Sequence, residues 1–421
     1  MSNKRLREAA PTHGFVAPGF EGVRRAFDWN LAHASELGAA FAVYHQGEKV
    51  VDLWGGYVDK KRTRLWEEDT VTTVFSTTKG IASCAMALAH SRGLFEWDAP
   101  MAEYWPDFAQ QDKGRITVRQ VFAHQAGLAA IDAPLDPAIL GDLPRLGEAV
   151  AAQKPRWEPG AHHGYHAISL GWYQGELLRR VDPEGRSLGR FFREELAEPL
   201  GLDIQIGLPA EFPIRRLSPI FPGNPLAALF RAGGRHTISR RMIFAMLNRK
   251  SITAGAFFNP RLKGAADINT NPALRAVEIP SANGVADARS IARLYSSFAT
   301  GGQEIGLSSQ TLDDLMAEPI VPTEGPYDLV LRTDTLFSLG FMKQGVGFEF
   351  ASSNKAFGTP GAGGSFGFAD PDAELGVAYI MNKMGHHLVN DPREKELRDA
   401  VYRSVAKLGP VAKDTPVALV G

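Results

Sequence analysis

The stretch Phe75-Ser76-Thr77-Thr78-Lys79, continuing through Gly80-Ile81-Ala82-Ser83-Cys84-Ala85-Met86-Ala87-Leu88-Ala89-His90, decides the fold. Its second half reads as an apolar helix, with Ser76 at the start and Lys79 one turn on. Residues three apart share a helix face, so hydroxyl and amine can meet. Backbone N–H groups at a helix start favour developing negative charge, which helps a serine oxygen become an alkoxide. Ser76 is therefore a candidate nucleophile and Lys79 its candidate base.

Ser-x-x-Lys occurs three times in the chain, at Ser76/Lys79, Ser352/Lys355 and Ser404/Lys407. The last belongs to a polar helical pattern over 394–408 and reads as a solvated face. The middle one sits in Ala351-Ser352-Ser353-Asn354-Lys355, a turn composition. Only the first heads an apolar helix.

A length of 421 residues allows two or three domains and a large core. With 46 Lys and Arg against 47 Asp and Glu, no overall field attracts nucleic acid or anionic lipid. The single cysteine, Cys84, excludes an internal disulfide, fits a reducing compartment and reads as a small buried hydrophobe. No apolar h-region follows Met1-Ser2-Asn3-Lys4-Arg5-Leu6-Arg7-Glu8, and no apolar run reaches membrane-spanning length. The expectation is a soluble cytoplasmic protein with neither nucleic-acid nor membrane partners.

Working outward from Ser76, residues 21–37 carry apolar positions at Val23, Phe27, Leu31 and Ala34, the spacing of an amphipathic helix. Residues 39–44 and 49–57 read as strands joined by a Gln46-Gly47 hairpin turn, hence antiparallel. After Ser76 strand signals are sparse as far as 280, and helical patterns recur at 81–91, 118–123, 146–153, 167–181 and 188–198. The run 220–226 with Leu229-Phe230 is unusually apolar for a loop; it reads as a connection packed on the core, or as a flap over an acyl pocket. Strand signals return at 336–342, 366–369 and 375–381, and a helix closes the chain from 392 to 408. The fold class is α+β. One antiparallel sheet domain is expected from 1–75 and 281–421, with a mostly helical domain, 76–280, inserted.

Two further segments converge on Ser76. In Trp157-Glu158-Pro159-Gly160-Ala161-His162-His163-Gly164-Tyr165-His166-Ala167, Tyr165 precedes a helix in a Gly-rich turn from which its phenol can enter a cleft. In Thr359-Pro360-Gly361-Ala362-Gly363-Gly364-Ser365, dense glycine lets a strand edge approach a ligand closely, so that its N–H groups can bind an oxyanion.

With these segments in order, the chain resembles the serine hydrolases that include class C β-lactamases, penicillin-binding peptidases and family VIII carboxylesterases. These share Ser-x-x-Lys, Tyr-x-Asn and a Lys-Thr-Gly-type strand. His124-Gln125-Ala126-Gly127-Leu128 resembles their His-Thr-Ser-Gly-Leu segment, and the Trp-x-Pro-Gly run and Pro199-Leu200-Gly201-Leu202 also fit. The resemblance implies a β-lactamase/transpeptidase-like fold: an antiparallel sheet flanked by helices, with the active site in the cleft beside the helical part. It implies Ser76 as nucleophile, Lys79 and Tyr165 as general base and acid, and the backbone N–H groups of Ser76 and Ala362 as oxyanion hole. His166 and Gly361 are expected to touch substrate, and neither a metal nor a cofactor is called for. Two departures matter: Ala167 replaces the amide of Tyr-x-Asn, and Thr359-Pro360-Gly361 replaces Lys-Thr-Gly. Those lost groups are the ones expected to grip a β-lactam. The departures resemble the esterase branch, so a small or short-acyl ester is the expected substrate. β-Lactam or D-amino-acid peptide cleavage, or acyl transfer, remain alternatives.

Three rivals compete. Gly363-Gly364-Ser365-Phe366-Gly367 matches the α/β-hydrolase nucleophile elbow, but that elbow needs a helix after the serine, and a strand is expected here. His162, His163, His166 and the pair His386-His387 complete no zinc-like ligand set; His166 is expected to line the cleft and the others the surface. A non-catalytic binding module need not keep Ser76, Lys79 and Tyr165 together.

Overall fold

The run Leu375-Gly376-Val377-Ala378-Tyr379-Ile380-Met381 is buried along its whole length, as a strand is when both faces of its sheet are covered. The computed structural model describes residues 10–223, 237–262, 268, 270–345 and 347–408. In chain order the strands are β1 Thr12–Val16, β2 Gly38–His45, β3 Glu48–Gly56, β4 Val71–Thr73, β5 Ile204–Gln205, β6 Leu217–Ser218, β7 Val285–Ala286, β8 Leu336–Ser338, β9 Phe341–Lys343, β10 Phe357–Pro360, β11 Phe366–Asp370 and β12 Leu375–Met381. The helices that position the site are α1 Glu21–His33, α2 Thr77–Ser91, α3 Arg240–Leu247, α4 Ile252–Phe258, α5 Ala288–Ala299 and α6 Pro392–Leu408.

Eight strands form one sheet, in the order β1-β3-β2-β12-β11-β10-β9-β8, and the neighbours run antiparallel. The two central strands come from opposite ends of the chain, β2 from the opening hairpin and β12 from the end, with Ala42 opposite Ala378. Side chains alternate between faces along a strand, and this sorts the core. Ala40, Ala42, Ala378 and Ile380 pack with α2 and α5 on one side. Phe41, Val43, Val377 and Tyr379 pack with α1 and α6 on the other. The chain is thus the antiparallel sheet flanked by helices that its residues led us to expect.

The β2–β3 turn is Gln46-Gly47, both at positive φ (56° and 81°), the backbone that matches the twist of a two-residue hairpin. The expected single strand 336–342 is instead the hairpin β8–β9. Leu339 and Gly340 turn it at φ 50° and 89°, and a Cβ on Gly340 would lie 2.1 Å from Ser83 Oγ of α2. The edge strand β1 was not foreseen: Gly14 lets it lie on β3, where a Cβ would come within 1.9 Å of Asp52 O. A second sheet, β5-β7-β4-β6, was also missed, because its strands are only two or three residues long. It carries β4, which leads into Ser76.

Of the apolar run at 220–230, residues 220–223 are described, and the rest lies outside the described residues. Phe221 N–H donates to Asn382 O (2.7 Å) and Phe221 O accepts from Met384 N–H (3.0 Å), so this part is a connection laid on the end of β12.

Helix α5 crosses β12 at Gly376, where an added Cβ would lie 2.3 Å from both Ala292 O and Ser296 N. Those are backbone atoms that cannot rotate away. Gly376→Ala is expected to destabilise the protein by about 1–3 kcal/mol, the usual cost of overpacking. An unchanged thermal unfolding midpoint would refute the close packing.

Candidate active site

Ser76 stands half-buried between the end of β4 and the first turn of α2, at the N-cap position. The residue before it, Phe75, is at φ +48°, a conformation costly for a bulky side chain. Its carbonyl is held by two donors from Thr78, the N–H (2.9 Å) and the hydroxyl (2.5 Å). Thr78 Oγ1 in turn accepts the Gly284 N–H at 2.9 Å. The turn that presents Ser76 is therefore clamped from inside the helix and from Gly284, just before β7.

Lys79 is fully buried. Its Nζ lies 2.6 Å from Ala167 O, 2.9 Å from Ser281 O and 3.3 Å from Ser76 Oγ. No carboxylate pairs with it among the described residues. Burial without a counter-charge holds the amine well below its usual pKa. A neutral amine has two N–H donors and one lone pair. The two carbonyls take the donors, and the lone pair is left for the Ser76 hydroxyl.

Tyr165 places its ring 4.7 Å from Lys79 Nζ and is packed by Phe337, stacked at 5.7 Å, and by His124, edge-on at 5.2 Å. Burial, with the Asp328 carboxylate nearby, raises the pKa of the phenol; a hydrogen bond with Ser76 opposes the rise. Burial thus favours the neutral amine at Lys79 and the protonated phenol at Tyr165. Asp328 is itself buried; burial pushes its carboxyl up to about 7, against hydrogen bonds from Val330, Leu331 and the Tyr165 backbone.

The end of β10 comes up against the Ser76 turn. Gly361 is buried, and a Cβ there would lie 2.4 Å from Val74 O and 2.2 Å from Ser365 Oγ. Gly361 is thus required for the strand to approach; no free face of it is left for substrate. Ala362 beside it is exposed. Among the described residues neither the Ser76 nor the Ala362 amide donates a hydrogen bond. Ser365 is buried, donates to Val74 O (2.9 Å) and accepts from Thr77 Oγ1 (3.1 Å). A strand follows it. It staples β10 to α2 and is not presented as a nucleophile.

The histidines fall elsewhere than expected. His166 is fully buried and does not line the cleft. His124 Nδ1 accepts the His166 N–H, so it must also accept from His166 Nδ1–H at 2.8 Å. Burial beside Lys79 keeps His166 neutral, its pKa brought down to about 3. His163 is buried too rather than on the surface, against Pro326 O (2.9 Å) and Thr335 Oγ1 (3.1 Å).

The beta-lactamase family model matches residues 23–401, nearly the whole chain. The chain belongs to the beta-lactamase family. It is 33% identical over 382 residues to the esterase/beta-lactamase LipL of Mycobacterium tuberculosis, covering 89% of this chain and 84% of LipL. Among solved structures, a family VIII carboxylesterase superposes with a TM-score of 0.82 at 36% identity, over 94% of this chain and all of the other. A penicillin-binding-protein homologue from Caulobacter crescentus gives 0.80 at 37% identity, with the same coverage.

Within this beta-lactamase-family frame, the two departures read from the sequence have structural counterparts. Ala167 offers Lys79 its backbone carbonyl in place of a side-chain amide. Thr359 is 3% exposed and turns inward against Gly80 and Tyr295, leaving no cation at that position. Three further parts escaped sequence reasoning: Ser281, Asp328 and Arg393. Ser281 acts through a carbonyl, which every residue has, so it gives no signal. Arg393 lies in the first turn of α6, where its sequence gives no signal. It is buried, with Nη2 donating to Gly363 O at 2.8 Å, and it is held by Asp391 and Glu36. Gly385 N–H donates to the same carbonyl, also at 2.8 Å. The Gly363–Gly364 peptide, in the turn that carries Ala362, is therefore pinned. Arg393→Lys keeps the charge but loses the fork that reaches Asp391 and Gly363 together. It is expected to lower kcat on esters roughly tenfold or more with KM nearly unchanged, as a misaligned oxyanion donor does. An unchanged kcat would separate Arg393 from the site.

Proposed function

We propose that this chain is a serine hydrolase that cleaves small, short-acyl carboxylic esters through an acyl-enzyme on Ser76. The active cleft lies between a sheet domain (1–75 with 281–421) and a helical one (76–280). The observation that carries the mechanism is the setting of Lys79: two backbone carbonyls, one hydroxyl and, among the described residues, no carboxylate. Lys79 takes the Ser76 proton as oxygen attacks the ester carbonyl. The negative oxygen rests between the Ser76 and Ala362 amides, donors worth about 3–4 kcal/mol each in such sites. Tyr165, kept as a phenol, passes a proton to the departing alkoxide and is reprotonated from Lys79. Water then enters, gives a proton to the neutral amine and attacks the acyl carbon; as the bond to Ser76 breaks, Lys79 returns that proton to the serine oxygen.

The choice of esters over lactams rests on Ala167 and Thr359, which supply neither amide nor cation to a lactam. The family VIII carboxylesterase among the similar structures supports ester cleavage, and LipL, an esterase/beta-lactamase, is compatible with either substrate.

The direct test is a panel of nitrophenyl esters from acetate to long chains beside a chromogenic cephalosporin. Wild-type protein is expected to turn over the short esters fast and the cephalosporin negligibly; the reverse ranking would overturn the choice of substrate. Ser76→Ala should abolish turnover and fluorophosphonate labelling with the fold intact, and Ser365→Ala should keep the nucleophile. Turnover that survives the first change but not the second would move the nucleophile to Ser365.

A second test is pH. The Lys79 pKa lies well below 10.5, and the amine is the active form, so activity is lost as pH falls through that value and is flat above it. kcat/KM should level off well below pH 10.5. A base of ordinary pKa would instead give a rise of about tenfold per pH unit up to pH 10. Such a rise would remove Lys79 as the base.

A further inference from the structure

Between Glu211 and Asp267 lie 55 residues without one Asp or Glu, where the chain's overall frequency predicts about six. Ten of the 55 are Lys or Arg, which leaves a net charge of −11 on the rest of the chain. The near-zero total conceals a strong local segregation.

In the described part of this segment, α3 and α4 pack on one another. Ser239 Oγ and Ser251 Oγ cap them, accepting the Met242 and Ala254 N–H groups at 3.1 and 3.0 Å. Met242 faces inward, 2% exposed, while Phe244 and Leu247 are 70% and 74% exposed. These two are the most exposed large apolar side chains among the described residues. They lie three apart, on one helix face. Phe258, at the end of α4, is a third, 46% exposed. Arg241, Arg249 and Lys250 flank them, exposed and in no ion pair among the described residues. A surface helix of a water-soluble protein turns its apolar stripe inward. Here an outward apolar centre is framed by cations with no acid near in sequence, the composition of a helix that lies in a lipid interface.

We propose that the α3–α4 hairpin is a docking surface for an anionic lipid layer. Phe244, Leu247 and Phe258 enter the boundary between headgroups and acyl chains, and Arg241, Arg249 and Lys250 meet lipid phosphates. This is docking on a surface, distinct from crossing a membrane: no described helix is long and apolar enough to cross one. A second copy of the chain fits poorly, since a two-fold contact would set these cations against themselves. A nucleic-acid duplex would use the cations but leave the apolar centre wet. A cavity of about 640 Å³ begins at Thr237 and Ser239, just before α3, and is walled by Leu331, Phe348, Leu388 and Val389; it does not reach Ser76. Phe257, next to Phe258, packs 6.5 Å from the Tyr165 ring.

The test is co-flotation with vesicles of phosphatidylglycerol and phosphatidylcholine, against vesicles of phosphatidylcholine alone. It reads binding and is independent of ester turnover, so it separates this proposal from the assignment of esterase activity. The protein is expected to float with the anionic vesicles, less so at raised salt, and hardly with the neutral ones. Charge reversal in R249E/K250E should weaken binding roughly fivefold or more per cation. F244S/L247S should weaken it at low and high salt alike. Near-UV circular dichroism and a cooperative melt check that both variants are folded. Failure to float with anionic vesicles, equal flotation with neutral ones, or variants that bind as wild type would each overturn the proposal. So would a dimer in sedimentation that F244S/L247S abolishes, or competitive displacement from the vesicles by RNA.

Discussion

Lys79 Nζ sits among two backbone carbonyls and the Ser76 hydroxyl, with no carboxylate beside it among the described residues. An ammonium ion in such a place has lost its water and gained no counter-charge, so the neutral amine is favoured. Everything around the site maintains that condition. Apolar side chains of α2 exclude water below it, and Tyr165 covers it with an aromatic face. The segments 165–167 and 281–284 deliver their carbonyls from two distant parts of the chain. Had a carboxylate stood in the place of either carbonyl, the lysine would hold its proton and Ser76 would be an ordinary hydroxyl.

Keeping a serine close to such an amine requires a sharp approach, and the chain meets it with strain and close packing. Phe75 is held in a left-handed conformation by Thr78, and α2 can lie against Tyr295 only because position 80 has no side chain: a Cβ there would come within 2.0 Å of Tyr295 Oη. On the opposite side, Gly361 and Ser365 bring β10 within reach of the same turn. The buried Glu36–Arg393–Asp391 group then fixes the Gly363–Gly364 peptide in the turn that follows β10. Buried ion pairs return little stability for the hydration they lose. This one also directs donors at two backbone carbonyls, Lys383 O and Gly363 O, the second in the turn that carries Ala362, which gives it a geometric use.

The same scaffold explains why the second serine motif misleads. Gly363-Gly364-Ser365-Phe366-Gly367 carries the spacing of a nucleophile elbow, yet its serine is turned into the seam between β10 and α2. A local pattern names residue types; the element that follows decides which way the hydroxyl points.

Read by itself, the sequence determined the opening amphipathic helix, the antiparallel opening hairpin, the strand at 375–381, the closing helix and the pairing of Ser76 with Lys79. Each depends on neighbours within a turn or two of chain, where periodicity and turn residues are strong signals. Tertiary structure alone decided that β2 and β12 meet at the centre of the sheet, that 336–342 folds back as a hairpin, and that His166 and Gly361 are buried supports. It alone placed the carbonyls of Ala167 and Ser281 on Lys79 and the guanidinium of Arg393 on Gly363. Those contacts join residues far apart in sequence, several through backbone atoms that every residue has. The protonation state on which the chemistry turns is a property of the surroundings, so the Ser76-Lys79 stretch that reveals the site could not by itself say which partner is the base.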